Sequence, residues 1–153
     1  MLEKEAAVQN DLRNPVAWFE LGVKQQENER EISAIKALQR AVALKPSYLE
    51  AWLALAISNT NENDRNGAYD AIEQWVRNNG RYEGARLMAL PEDNGEKAPG
   101  VRRAELIQCL MGLARTAPEG EIDADIQTAL GVLLNTGEVG VFCFVVRRVR
   151  RLP

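Results

Sequence analysis

Two stretches decide the fold: Asn14-Pro15-Val16-Ala17-Trp18-Phe19-Glu20-Leu21-Gly22 and Pro46-Ser47-Tyr48-Leu49-Glu50-Ala51-Trp52-Leu53-Ala54-Leu55-Ala56. Trp18 recurs as Trp52, Leu21 as Leu55, Gly22 as Ala56 and Ala34 as Ala68, each time 34 residues further on. A fixed period of this kind marks stacked supersecondary units, each burying its apolar face against its neighbours. The small residues Gly22, Ala34, Ala56 and Ala68 allow the two helices of a unit to approach closely. Trp18 and Trp52 fill the space between neighbouring units, and Pro46 cannot continue a helix and sets the turn into the next one.

The period and the W-x₂-L-G, A-x₃-F and terminal Pro positions are those of tetratricopeptide repeats. The repeat at 15–48 has Trp18, Leu21, Gly22, Ala34, Ala41 and Pro46 in place, with Leu38 where Phe is usual and Gln25 for Tyr. The repeat at 49–82 keeps Trp52, Leu55 and Ala68, with conservative Ala56 and Ile72, while Asn59, Trp75 and Gly80 depart from the pattern. Helices are predicted at Leu2 to Asn10, Pro15 to Glu27, Arg30 to Leu44, Leu49 to Asn61 and Arg65 to Asn78, joined by polar turns. Residues 1–14 then form the end of a preceding repeat.

A third repeat should start at Glu83, but Pro91, Asn94-Gly95 and Pro99-Gly100 interrupt it. An irregular connection is predicted over 79–100, with a short helical turn near Gly84 to Ala89. Helical periodicity returns over Val101 to Thr116, with Val101, Ala104, Ile107, Leu110, Met111 and Ala114 on one face. A further helix is predicted over Ile122 to Leu134, where Leu130-Gly131 takes the place of the Leu-Gly pair. Counted back from that pair, its repeat starts at Ala124, so 83–123 is a degenerate repeat about seven residues too long and 124–136 the first helix of another. The predicted fold is an all-α helical-hairpin solenoid, incomplete at both ends and curved as a right-handed arc, not a closed ring.

The tail 137–153, GEVGVFCFVVRRVRRLP, is β-prone where a second helix is due. Its uncharged window Val139 to Val146, together with Leu130, Val132, Leu133 and Leu134, which cannot all be covered without a partner helix, predicts marginal stability and self-association.

Composition narrows the function. The chain has 153 residues, 46% apolar and 27% charged, and so buries a core. A net charge of −3 argues against a dedicated nucleic-acid binder, and Arg147, Arg148, Arg150 and Arg151 weigh little against it. There is no histidine, which removes His-based triads, proton shuttles and His-ligated zinc sites. The two cysteines, Cys109 and Cys143, make no disulfide framework and suit a reducing compartment; Cys109 falls on an apolar helix face and reads as core. With no signal peptide at Met1-Leu2-Glu3-Lys4-Glu5 and no apolar run long enough to span a membrane, a soluble cytosolic protein is expected. No phosphate loop or nucleophile motif is present, so neither an enzyme nor a cofactor is expected. The carboxylates of Glu27-Asn28-Glu29-Arg30-Glu31 and Asp123-Ala124-Asp125 read as solvated faces or helix N-termini.

Between Ala6 and Asn135 the words become specific. Ala6-Ala7-Val8-Gln9, Ala17-Trp18…Leu21-Gly22, Glu27-Asn28-Glu29 and Ala54-Leu55-Ala56-Ile57-Ser58…Thr60-Asn61-Glu62 form one set. Asp123-Ala124-Asp125-Ile126-Gln127 and Leu130-Gly131-Val132-Leu133-Leu134-Asn135 form the other. Together they resemble the peroxisomal import receptors for type 1 targeting signals, the peroxin-5 family, over roughly the first 137 residues. A related family that regulates ion channels shares these repeats.

The resemblance implies a cytosolic cargo receptor that grips the C-terminal Ser-Lys-Leu-type tripeptide of matrix enzymes, meets the peroxisomal docking machinery and cycles to the peroxisomal membrane. It implies that Asn28, Asn61 and Asn135 lie near the cargo and hold its backbone through their amides; Lys24 stands where animal members tend to have threonine. The family carries about seven repeats and places its remaining cargo contacts beyond the equivalent of Asn135. The match stops after Gly137-Glu138, as it would at a retained intron or a shifted reading frame. Much weaker cargo binding than that of a whole receptor is therefore expected. From the residues alone, Asn28 and Asn61 also suit C-terminal helix caps, since Asn tolerates left-handed backbone. The chaperone carboxylate clamp is a poor alternative, because its Lys and Asn positions hold Phe19, Val23, Leu53 and Ile57. A scaffold that keeps the repeats without reading the signal is the alternative function.

Overall fold

The computed structural model describes residues 2–83, 98–116 and 123–136. The tail 137–153 and the turn expected near Gly84 to Ala89 lie outside them. Seven α-helices occur among the described residues, with no strand: α1 (Leu2–Asn10), α2 (Pro15–Glu27), α3 (Glu31–Leu44), α4 (Leu49–Asn61), α5 (Arg65–Asn78), α6 (Pro99–Thr116) and α7 (Ala124–Asn135). The chain divides into two compact units, Met1–Asn79 and Gly80–Pro153.

In the first unit each helix packs on the next in sequence, α1 through α5, as tetratricopeptide-like helical hairpins. The caps explain where the helices start. Asn14 Oδ1 accepts from the backbone N–H of Val16 and Ala17 at 3.0 and 3.3 Å, and Pro15 occupies the first turn, where its missing N–H costs nothing. Asp64 Oδ1 accepts from the Gly67 N–H at 3.0 Å. α3 starts at Glu31, one residue later than the Arg30 expected from sequence, and Arg30 is its N-cap residue. The left-handed residues of the two interhelix turns are Glu29 (φ 57°) and Asn63 (φ 60°). Asn28 and Asn61 therefore do not supply the left-handed backbone. Asn28 is the C-cap of α2 with negative φ (φ −94°, ψ 14°), and Asn61 is the last residue of α4.

The repeat signature packs as its chemistry requires. Ala34, Ala56 and Ala68 are fully buried. A methyl at Gly22 would sit 2.7 Å from Leu38 Cγ, so this glycine is where α2 and α3 approach closest. Trp18 lies against a cluster of Val8, Ala17, Leu21 and Ala37 that joins α1 to the next hairpin. Its indole N–H donates to the Leu12 carbonyl at 3.0 Å, and that of Trp52 to the Pro46 carbonyl at 2.7 Å. Both bonds span six residues and fall at equivalent repeat positions. Trp75 and Asn59, two of the departures from the pattern, are absorbed as buried residues.

In the second unit α6 packs against α7. α6 starts at Pro99, two residues before the expected Val101, again because a first-turn proline suits a helix N-terminus. Its buried face differs from the one expected. Leu106, Cys109, Leu110 and Leu113 are buried, whereas Val101 and Met111 are 52% and 45% exposed. The sequence offers two interleaved apolar stripes, and packing selects the one carrying three leucines, which removes more apolar surface from water. Cys109 is core, as expected, and burial pushes its thiol up to about 11.

α7 starts at Ala124, with Asp123 as its N-cap, accepting from the N–H of Asp125 and Ile126 at 2.9 and 3.4 Å. The same carboxylate accepts from the Tyr82 hydroxyl and from Arg81 Nη1, which ties the 3₁₀ turn Gly80–Tyr82 to the start of α7. Of the four aliphatic side chains expected not all to find cover, Val132 and Leu133 are buried, Leu130 is half-buried and Leu134 is 67% exposed.

Candidate functional site

The first unit brings the end of α2, the start of α3 and the last turn of α4 together through side chains. Gln26 Nε2 donates to the Ala54 carbonyl at 2.8 Å and to Ser58 Oγ at 2.7 Å. The Ser58 hydroxyl donates to Glu31 Oε2 at 2.7 Å, and Asn61 Nδ2 donates to Glu31 Oε1 at 2.8 Å. One hairpin thus clasps the next at Ser58 and Asn61, which share a helix face one turn apart. Ser58 is wholly buried, Glu31 half-buried and Asn61 exposed. The clasp leaves Gln26 Oε1 buried without a hydrogen-bond partner.

The three asparagines singled out from sequence have unlike surroundings. Asn28 is exposed, and its Nδ2 donates to the Lys24 carbonyl of its own helix at 2.9 Å. Asn61 belongs to the clasp, which ties it to the turn following Asn28 through Glu31. Asn135 is the half-buried last residue of α7, in the second unit. In repeat register the three are not equivalent: Asn61 aligns with Glu27, Asn28 with Glu62 and Asn135 with Gln26.

The Phe19 ring lies 4.9 Å from that of Tyr48, and Lys45 Nζ sits 5.5 Å from the Tyr48 centroid. Phe19 is thus occupied with aromatic packing at a position where a carboxylate clamp would need a polar group.

The acidic words prove less solvated than expected. Glu31 does occupy the first turn of α3, but its carboxylate is spent on α4. Asp123 does cap a helix, with its side chain only 13% exposed. Burial alone would raise the Asp123 pKa, but hydrogen bonds from Tyr82, Asp125 and Ile126 and the charge of Arg81 hold it below the ordinary value. Burial and the bond to Asp123 push the Tyr82 hydroxyl up to about 12. Among the described residues no group of three or more His, Cys, Asp or Glu side chains could hold a metal ion, and no helix is long and apolar enough to cross a membrane.

No family model matches the chain. It is 35% identical over 137 residues to the peroxisomal targeting signal receptor of Yarrowia lipolytica and 36% identical over 139 residues to that of Komagataella phaffii. The chain is homologous to peroxisomal targeting signal receptors. It also matches the PEX5-related protein of Rattus norvegicus, 35% identical over 146 residues. Each match covers 88% of this chain and 23% of the relative, so the chain spans about a quarter of the receptors it resembles. Receptor homology therefore runs through most of both units. Gln26, Glu31 and Ser58 were not legible as a site, because the clasp joins residues 27 to 32 positions apart and no local motif marks it.

Proposed function

We propose that this chain is a receptor segment that recognises the C-terminal type 1 targeting signal, of Ser-Lys-Leu type, of peroxisomal matrix proteins. It takes part in cargo delivery and catalyses no reaction. In the whole receptor it would work from the cytosol and meet the docking machinery at the peroxisomal membrane. The observation that carries this reading is the homology to targeting signal receptors over 88% of the chain. Asn28 and Asn61 support it as exposed amides at the ends of successive first helices, able to hydrogen-bond a peptide main chain; Asn135, half-buried at the end of α7, is a separate candidate within the second unit.

The test is fluorescence anisotropy with a labelled peptide ending in Ser-Lys-Leu, against the same peptide with its last three residues scrambled. Saturable binding of the Ser-Lys-Leu peptide is expected, weaker than that of a whole receptor. Asn28→Ala and Asn61→Ala should each weaken it about 2–10-fold, the worth of one hydrogen bond at about 0.5–1.5 kcal/mol. A folded chain indifferent to the peptide refutes the reading. That outcome would favour a scaffold that binds proteins without reading the signal, to which one observation lends weight: the amide nitrogens of Asn28 and Asn61 are already engaged by Lys24 and Glu31.

A further inference from the structure

We infer that Glu31 is a positioning residue for Asn61. It holds the Asn61 carboxamide by its nitrogen and leaves the oxygen as the group that accepts a main-chain N–H of a bound peptide. The inference rests on the peptide-binding reading above. Its basis is the direction of the hydrogen bonds, which is fixed at both ends of the clasp. The Ala54 carbonyl can only accept, so the atom of Gln26 that faces it is Nε2, and the same nitrogen donates to Ser58 Oγ. With its oxygen already accepting, the Ser58 hydroxyl turns its proton to Glu31 Oε2.

The Glu31 carboxylate accepts at both oxygens, so the one 2.8 Å from Asn61 must face Nδ2. A flipped Asn61 would set two acceptor oxygens against each other. Asn61 Oδ1 makes no hydrogen bond among the described residues, and the residue is exposed. The position is therefore pre-set as an acceptor, although an asparagine amide is otherwise free to present either end. Holding the rotamer beforehand removes an ordering cost that a bound peptide would otherwise bear.

Glu31→Gln keeps the shape but can offer Asn61 either an oxygen or an NH₂ group, so the lock is lost. Two readouts are combined: exchange of the Asn61 side-chain amide protons by NMR, assigned with Asn61→Ala, and the Kd for the Ser-Lys-Leu peptide. One slowly exchanging Asn61 proton is expected in the parent and none in Glu31→Gln. The Kd should rise about 2–10-fold in Glu31→Gln and stay unchanged when the same substitution is made in an Asn61→Ala background, where there is no amide left to orient. Ser58→Ala, which frees the carboxylate from its other tether, should show the same dependence on Asn61 and serves if Glu31→Gln folds poorly. Equal weakening in both backgrounds would mean a merely structural role and overturns the inference, as does an unchanged Kd in Glu31→Gln. A parent chain that shows the protected amide but binds no peptide overturns the peptide-binding reading instead.

Discussion

Two glycines that align on the Leu-Gly signature should respond in opposite senses to the same substitution. At Gly22 an added Cβ would lie 2.7 Å from Leu38 Cγ and 2.9 Å from Leu38 Cδ2, with the Ala34 carbonyl oxygen at 3.4 Å. Leu38 is fully buried beside the equally buried Ala34, Ala37 and Ala41, so it cannot swing clear. Overpacking of this kind costs about 1–3 kcal/mol, while Gly to Ala in a helix returns about 1 kcal/mol. Gly22→Ala should therefore destabilise by up to about 2 kcal/mol. At Gly131 no heavy atom among the described residues lies within 4 Å of an added Cβ. Only the helix preference remains, and Gly131→Ala should stabilise α7 by about 1 kcal/mol. Because the chain has two units, a single melting curve mixes their responses. Hydrogen exchange read by mass spectrometry separates them: faster exchange in α2 and α3 for Gly22→Ala, slower exchange in α7 for Gly131→Ala. In a Leu38→Ala background the new methyl should be tolerated, giving a coupling of about 1 kcal/mol or more. A Gly22→Ala chain as stable as the parent would refute the claim that α2 and α3 need this close approach.

Three further outcomes are expected. Trp18→Phe and Trp52→Phe keep most of the apolar packing but lose the indole bonds to the Leu12 and Pro46 carbonyls; each should cost about 0.5–1.5 kcal/mol in a urea titration, and by similar amounts. The Asp123 carboxyl is held below its ordinary value, so its contribution is complete above about pH 4 and is lost as pH falls through the lower folded value. An acid titration followed by circular dichroism should show α7 weakening there, and Asp123→Asn should remove that step. The Tyr82 hydroxyl has the opposite sign: its stabilisation holds below about pH 10, the ordinary value, and disappears as pH rises through about 12. An ultraviolet titration should show Tyr82 ionising later in the parent than in Asp123→Ala.

The helices of the first unit were legible because the apolar period and the cap residues agree. Pro15 to Glu27, Leu49 to Asn61 and Arg65 to Asn78 have the expected bounds. Misplacements occurred where a residue plays two roles. Pro99 reads as a breaker yet begins α6, and α6 carries two apolar stripes that only a packing partner can rank. Asn28 and Asn61 suggested left-handed caps, but the left-handed backbone falls on Glu29, which no composition cue marks, and on Asn63, the other asparagine of its turn. The asparagines themselves came from resemblance to the receptor family. The environment that gives Asn61 a fixed orientation did not, since a bond between Glu31 and a residue 30 positions away leaves no local trace.

The clasp also encodes the order of the repeats. The apolar code of Trp, Leu and small residues is nearly the same at 15–48 and 49–82, and by that code alone the two units could change places. The polar residues disfavour it. In the swapped order Thr60 would stand for Gln26 and Arg65 for Glu31, facing Glu20, Lys24 and Glu27 where Ala54, Ser58 and Asn61 now lie. A threonine is too short to bridge the hairpins, and Arg65 would meet Lys24, a like charge, at the position of the present hydrogen bond to Ser58. Hydrophobic periodicity makes the units stackable, and four hydrogen bonds at one joint make the array directional, with a defined first and second member.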